Sequence, residues 1–124
     1  MIESLPIGNI YLNYYIQSPE TKVLELDVLV ECISDNAFHG IVFEIKNRDD
    51  ANLPTEKEAQ QFIQKLELFT HALNRQGHEQ VVLCPIYLSA NGFEPDVEKW
   101  LFDHHVLTAD MDSWGIDNKQ RKEK

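Results

Sequence analysis

The sequence predicts a mixed α/β domain in which an antiparallel three-strand meander is followed by helix, strand, helix and strand. Three observations carry this prediction. Residues 10–16, 23–33 and 40–47 are rich in Ile, Val, Leu, Phe and Tyr and are separated by turn-forming residues. Apolar residues then recur at helical spacing through 59–73. An almost wholly apolar stretch, 81–88, follows that helix, so strands three and four should be parallel neighbours joined by a right-handed crossover.

In the first strand, Ile10, Leu12, Tyr14 and Ile16 fall on one face and Tyr11, Asn13 and Tyr15 on the other. The second strand places Leu24, Leu26, Val28, Val30 and Cys32 on an apolar face, and Glu25, Asp27, Leu29 and Glu31 opposite. Ser34-Asp35-Asn36 reads as a turn. The third strand has Ile41, Phe43 and Ile45 on one face, and Val42, Glu44 and Lys46 on the other. After a polar loop, Thr55-Glu56-Lys57-Glu58 is a capping box that opens the helix, and Gly77 closes it. Ala59, Phe62, Ile63, Leu66, Phe69 and Leu73 form its apolar stripe. Residues 81–88 read as a strand buried on both faces, although Pro85 suits an edge or an end. Pro95 opens a helix over 95–103, on which Trp100, Leu101 and Phe102 are expected to pack against the sheet. Val106-Leu107-Thr108 is a fifth short strand. Residues 1–116 form a single domain, and 117–124 a polar basic tail expected to be disordered.

The 124 residues suffice for one core without disulfides or a structural metal. The two cysteines form no metal-type spacing and read as packing residues, Cys32 and Cys84, which fits a reduced cytoplasmic setting. No apolar run is long enough to span a bilayer. The net charge is −10, with 21 acidic and 11 basic residues. Residues 1–117 carry 7 basic and 20 acidic groups, a net of −13. That balance argues against a generic nucleic-acid binder, whose basic surface supplies non-specific affinity.

One short pattern carries chemistry. Acid–x–Lys occurs three times, at Glu20-Thr21-Lys22, Glu44-Ile45-Lys46 and Asp117-Asn118-Lys119, where chance alone gives roughly 1.4 matches. Only the second lies on an apolar strand, so Glu44 and Lys46 project from one face. The second strand adds Asp27. If the turn is centred near residues 36–37, hairpin partners sum to 73, so that Asp27 faces Lys46 and lies diagonal to Glu44; a sum of 71 would put Asp27 directly opposite Glu44. Either register places the side chains on one face, at about 5 Å for direct pairs and roughly 7–8 Å for diagonals. An even sum would send Asp27 to the other face. Two converging carboxylates suit a hard cation such as Mg²⁺ or Mn²⁺. A neighbouring lysine can orient an attacking water or stabilise charge on a phosphate. The competing reading is a solvated strand face with a cross-strand ion pair.

Asp27 with its apolar flanks, then Glu44-Ile45-Lys46, then an amphipathic helix and an apolar strand resemble the PD-(D/E)xK nuclease superfamily, over about residues 9–90. This family has the restriction-endonuclease-like fold, as in Holliday-junction resolvases and ATPase-associated nuclease domains. The resemblance implies Asp27 and Glu44 as metal ligands, joined by the backbone carbonyl of Ile45, with Lys46 as catalytic lysine. It implies hydrolysis of a phosphodiester, in DNA rather than RNA, by metal-activated water. The family core usually opens with a helix, for which this chain offers only Met1 to Gly8, and Glu3 as a remnant. Some relatives place a Gln on the helix after the motif; Gln60, Gln61 and Gln64 all project away from the apolar stripe. The alternative is a catalytically inactive domain of the same fold, acting in protein interaction or dimerisation within a larger protein. For a nuclease, the acidity predicts that the basic grip on the backbone comes from a homodimer partner, a fused domain, or a local patch of Lys46, Arg48 and Lys57.

His104-His105 with Asp103, Asp110 and Asp112 is a possible metal cluster, but adjacent histidines point apart, which favours a helix-end cluster. His39, His71 and His78 read as surface or loop residues. The tyrosines of the first strand suit packing or an interface more than base stacking.

Overall fold

The computed structural model describes residues 6–18, 21–35, 37–46 and 52–110. The expected tail, Glu3, Arg48 and Asp112 lie outside them. The described residues form β1 (Ile7–Ser18), β2 (Thr21–Cys32), β3 (Phe38–Lys46), α1 (Glu56–Arg75), β4 (Val81–Ser89), α2 (Pro95–Asp103) and β5 (Leu107–Ala109). The sheet runs in the order β1-β2-β3-β4-β5. β1, β2 and β3 are antiparallel neighbours, while β4 is parallel to β3 and β5 to β4. The meander and the parallel return through α1 are as the sequence predicts.

Each helix begins and ends where its chemistry dictates. Thr55 Oγ1 accepts from the Glu58 amide, and a Glu58 carboxylate oxygen accepts from the Thr55 amide at 3.0 Å, completing the capping box. At the other end, Gly77 stands at φ 103. Its amide donates to the Asn74 carbonyl and the His78 amide to the Leu73 carbonyl, the Schellman pattern. α2 ends in the same way, with His105 at φ 63 where glycine is usual. The Val106 amide donates to the Leu101 carbonyl there.

The core lies between one sheet face and the helices. Ala59, Phe62, Phe69, Ala72 and Leu73 of α1, and Val97 and Leu101 of α2, share one buried cluster with Leu26, Leu29, Phe38, Val42 and Tyr87 of the sheet. Phe69 meets Phe38 and Tyr14 edge-on, and Phe62 meets Tyr87 likewise. Gly40 leaves room for Leu29, whose Cδ1 would lie 3.2 Å from a Cβ built there. Phe102 does not pack against the sheet as expected; it is exposed, while Trp100 packs on the core and Leu101 is buried.

The strict alternation expected for the first two strands does not hold. Tyr14 shares the core-facing side with Tyr11, their rings 5.0 Å apart, and not with Ile10 and Leu12, which are exposed. The cause is Asn13 at φ 52. One left-handed residue, which asparagine tolerates better than most, reverses the side on which the following residues project. β2 makes the matching change: Leu26 and Leu29, three residues apart, both enter the core. They pair with Tyr14 and Tyr11 respectively. Asp27 therefore sits at a break in the alternation rather than on a regular face.

β4 is not buried on both faces. Tyr87, Val81 and Leu83 face the helices, but Val82 on the other side is exposed. Pro85 lies one residue before β4 pairs with β5, at Ile86↔Leu107. The face turned from the helices is apolar from strand to strand, running through Leu12↔Val28, Val28↔Phe43, Phe43↔Ile86 and Ile86↔Leu107.

Candidate active site at the open end of the β2–β3 pair

The β2–β3 register sums to 71, from Cys32↔His39 to Val28↔Phe43. Continued by one residue, it sets Asp27 opposite Glu44, the second of the two expected arrangements and not the one that a turn centred near 36–37 gives. The ladder changes at that point. The amide of Ile45 donates to Asp27 Oδ2 at 2.8 Å. A side-chain carboxylate thus takes a donor on the β2 side of β3 that a backbone carbonyl would otherwise receive. In an extended strand the carbonyl of Ile45 turns to the same side as its amide. Asp27 and the Ile45 backbone are brought together, while the Ile45 side chain is exposed on the other sheet face.

Glu44 and Lys46 point toward α1, on the same side as Val42. Glu44 is buried, its side chain 7% exposed. A carboxylate so placed needs counter-charge. It has two ammonium groups: Lys46 Nζ lies 3.2 Å from Oε2, and Lys65 Nζ lies 3.3 Å from Oε1. Lys46 also lies 3.8 Å from Glu58 Oε2. The capping box of α1 and the strand motif are therefore tied together, since Glu58 serves both.

Lys65 is the functional candidate that sequence reasoning missed. It lies three residues after Phe62 and four before Phe69, both buried against the sheet. That spacing puts residue 65 on the sheet-facing stripe of α1, and it was the available signal. Gln60, Gln61 and Gln64 are exposed, as the sequence predicts. Of the proposed basic patch, Lys57 is exposed and Lys46 is engaged by Glu44.

The donor set suits a small hard cation: two carboxylates on facing strands and one backbone carbonyl. Mg²⁺ commonly takes one or two protein carboxylates and keeps several waters, so a site of this size fits. No cluster of three or more His, Cys, Asp or Glu side chains that could hold a metal occurs among the described residues. The His104 region is not such a centre. His104 stacks on Trp100 at 3.8 Å and its Nδ1 lies 2.8 Å from the Trp100 carbonyl, while His105 belongs to the helix stop.

No protein-family model matches the chain, and no curated protein matches it. Among solved structures, it is similar to the crystal structure of a protein of unknown function, AF1548, with a TM-score of 0.58 and 14% identity. The similarity covers 83% of this chain and 49% of that one, so this chain spans about half the length of its structural neighbour. At that identity the likeness is one of fold. No helix among the described residues is long and apolar enough to cross a membrane.

Proposed function

We propose that the chain is a metal-dependent phosphodiester hydrolase of the PD-(D/E)xK type, with a restriction-endonuclease-like fold, acting on DNA in a reducing cytoplasm. One observation carries this reading: the Glu44-Ile45-Lys46 strand meets Asp27 at the open end of the β2–β3 pair, with Glu44 buried and Lys46 3.2 Å from it. Asp27, Glu44 and the Ile45 carbonyl would hold Mg²⁺ or Mn²⁺. When bound, such an ion supplies a water acidic enough to attack at neutral pH and neutralises charge on the phosphate. Lys46 stands beside Glu44 to orient that water and stabilise the developing negative charge. Burial of Glu44 limits competing solvent and strengthens each charge interaction. The acidity of the chain, −10 overall, means that the basic grip on DNA comes from elsewhere in the assembly.

The test is thermal stability under Mg²⁺ or Mn²⁺ titration. The wild type should gain stability, and Asp27→Ala and Glu44→Ala should each abolish the gain. A wild type indifferent to both ions would end the catalytic reading.

A second reading rests on a different observation. The sheet face turned from the helices exposes Ile10 at 61%, Leu12 at 71% and Val82 at 45%, which suits a dimerisation module in which a second copy covers that face. Light scattering decides it: a dimer that Leu12→Lys dissociates supports the reading, and a monomer at high concentration removes it.

A further inference from the structure

Resting on the nuclease reading above, we propose that Lys65 is a resident counter-ion that occupies the cation's place on Glu44, so that metal loading is coupled to arrival of a phosphodiester. Both oxygens of Glu44 face ammonium groups, Oε2 at Lys46 and Oε1 at Lys65. Lys46 comes from the same strand, two residues away, and has a second carboxylate, Glu58, to keep it in place. Lys65 comes from α1, and its ammonium group donates to Glu44 Oε1 at 3.3 Å.

A divalent ion taking Oε1 would sit beside a like charge in a site where Glu44 is 7% exposed and screening is weak. Lys65 must therefore move off before the ion can bind. Its long side chain, 30% exposed, is able to do so. A phosphodiester oxygen reaching the site is the natural new partner for the ammonium group. The same motion frees Glu44 and fixes the substrate backbone. Without nucleic acid, Lys65 competes with the ion for Glu44, so that metal binds weakly, and it balances the buried carboxylate.

The experiment is calorimetric titration of Mn²⁺ into the full chain as wild type, Lys65→Met, Lys65→Gln and Lys65→Arg. Each is measured alone and with a phosphorothioate DNA carrying single-stranded and duplex segments. Removing the competing charge should tighten Mn²⁺ binding by about tenfold or more in the Met and Gln variants without DNA. Lys65→Arg should keep the weak wild-type affinity. DNA should tighten binding to the wild type and leave the Met and Gln variants nearly unchanged. Circular dichroism of Lys65→Gln shows that the fold is intact.

Equal or weaker Mn²⁺ binding by the Met and Gln variants, with Glu44→Gln still abolishing it, would overturn the counter-ion role and leave the metal site standing. Absence of Mn²⁺ binding in every form, with and without DNA, would remove the nuclease reading and this inference with it.

Discussion

The Glu44–Lys65 pair ties α1 to β3, and its removal is the perturbation most closely bound to the site's construction. Taking one partner from a fully buried pair costs about 3–5 kcal/mol, whereas exposed pairs contribute about 0.2–1 kcal/mol. Glu44 is nearly enclosed, but the Lys65 and Lys46 side chains are 30% and 25% exposed, and Lys46 stays on Glu44 when Lys65 is lost. Solvent screening of the lysines therefore brings the expected cost of Lys65→Met to about 1–2 kcal/mol. Glu44→Gln should cost a similar amount, because two ammonium groups then face an uncharged amide. The two changes remove one shared interaction, so the double variant should cost about 1 kcal/mol less than the sum of the singles. Urea unfolding in the presence of a chelator measures all four forms without contribution from metal. In thermal unfolding each kcal/mol corresponds to about 3–6 °C for a domain of this size. Additivity within about 0.3 kcal/mol would show that the two groups do not interact in solution, and the site described above would lose its helix-borne member.

Other predictions concern the frame that holds the site. Asp27→Ala should expose the Ile45 amide, whose partner is Asp27 Oδ2; its hydrogen exchange should accelerate while that of Val42 stays slow, at a cost of about 1–3 kcal/mol. Leu29→Ala should cost about 2–5 kcal/mol in urea, because Leu29 is buried over Gly40. His105→Gly should raise stability by about 1 kcal/mol, because His105 stands at φ 63 at a helix stop. The phenol of Tyr14 is held above its ordinary value near 10 by burial, then by neighbouring Tyr11 and Glu31. The folded state thus favours the protonated phenol: the stability this gives is whole below the unfolded value and is lost as pH rises through the folded one. Ultraviolet titration of tyrosinate should show ionisation above the ordinary phenol range that Tyr14→Phe diminishes.

The order of elements and the odd parity of the β2–β3 register were legible because local signals agreed, while the choice between sums of 71 and 73 was not. The apolar faces of β2 and β3 required an odd sum, the Thr55–Glu58 box fixed the helix start, and the 81–88 apolar run returned beside β3. Glu44 and Lys46 were legible for the same reason, since β3 keeps its alternation to the end. The side-chain placement in β1 and β2 was not, because period-two reasoning assumes an unbroken pleat. Asn13 breaks it, and the change passes to Leu26 and Leu29 through the cross-strand pairs. Lys65 was hidden for a different reason. A lysine on an apolar helix stripe reads as solvated until the sheet supplies a buried carboxylate opposite it. Phe102 was misplaced because successive residues of a helix are turned by about 100° from one another, so Trp100, Leu101 and Phe102 cannot all face the sheet.

We propose that Asp27, Glu44 and Lys46 together hydrolyse phosphodiesters with a divalent ion. The most direct test is incubation of the full chain with single-stranded, duplex and branched DNA in Mn²⁺ or Mg²⁺, beside Asp27→Ala, Glu44→Ala and Lys46→Ala. The wild type should cleave at least one substrate in a reaction that requires the ion and is lost in all three variants. Cleavage that persists in Lys46→Ala and Glu44→Ala, or a wild type that cleaves none of the three, would contradict it.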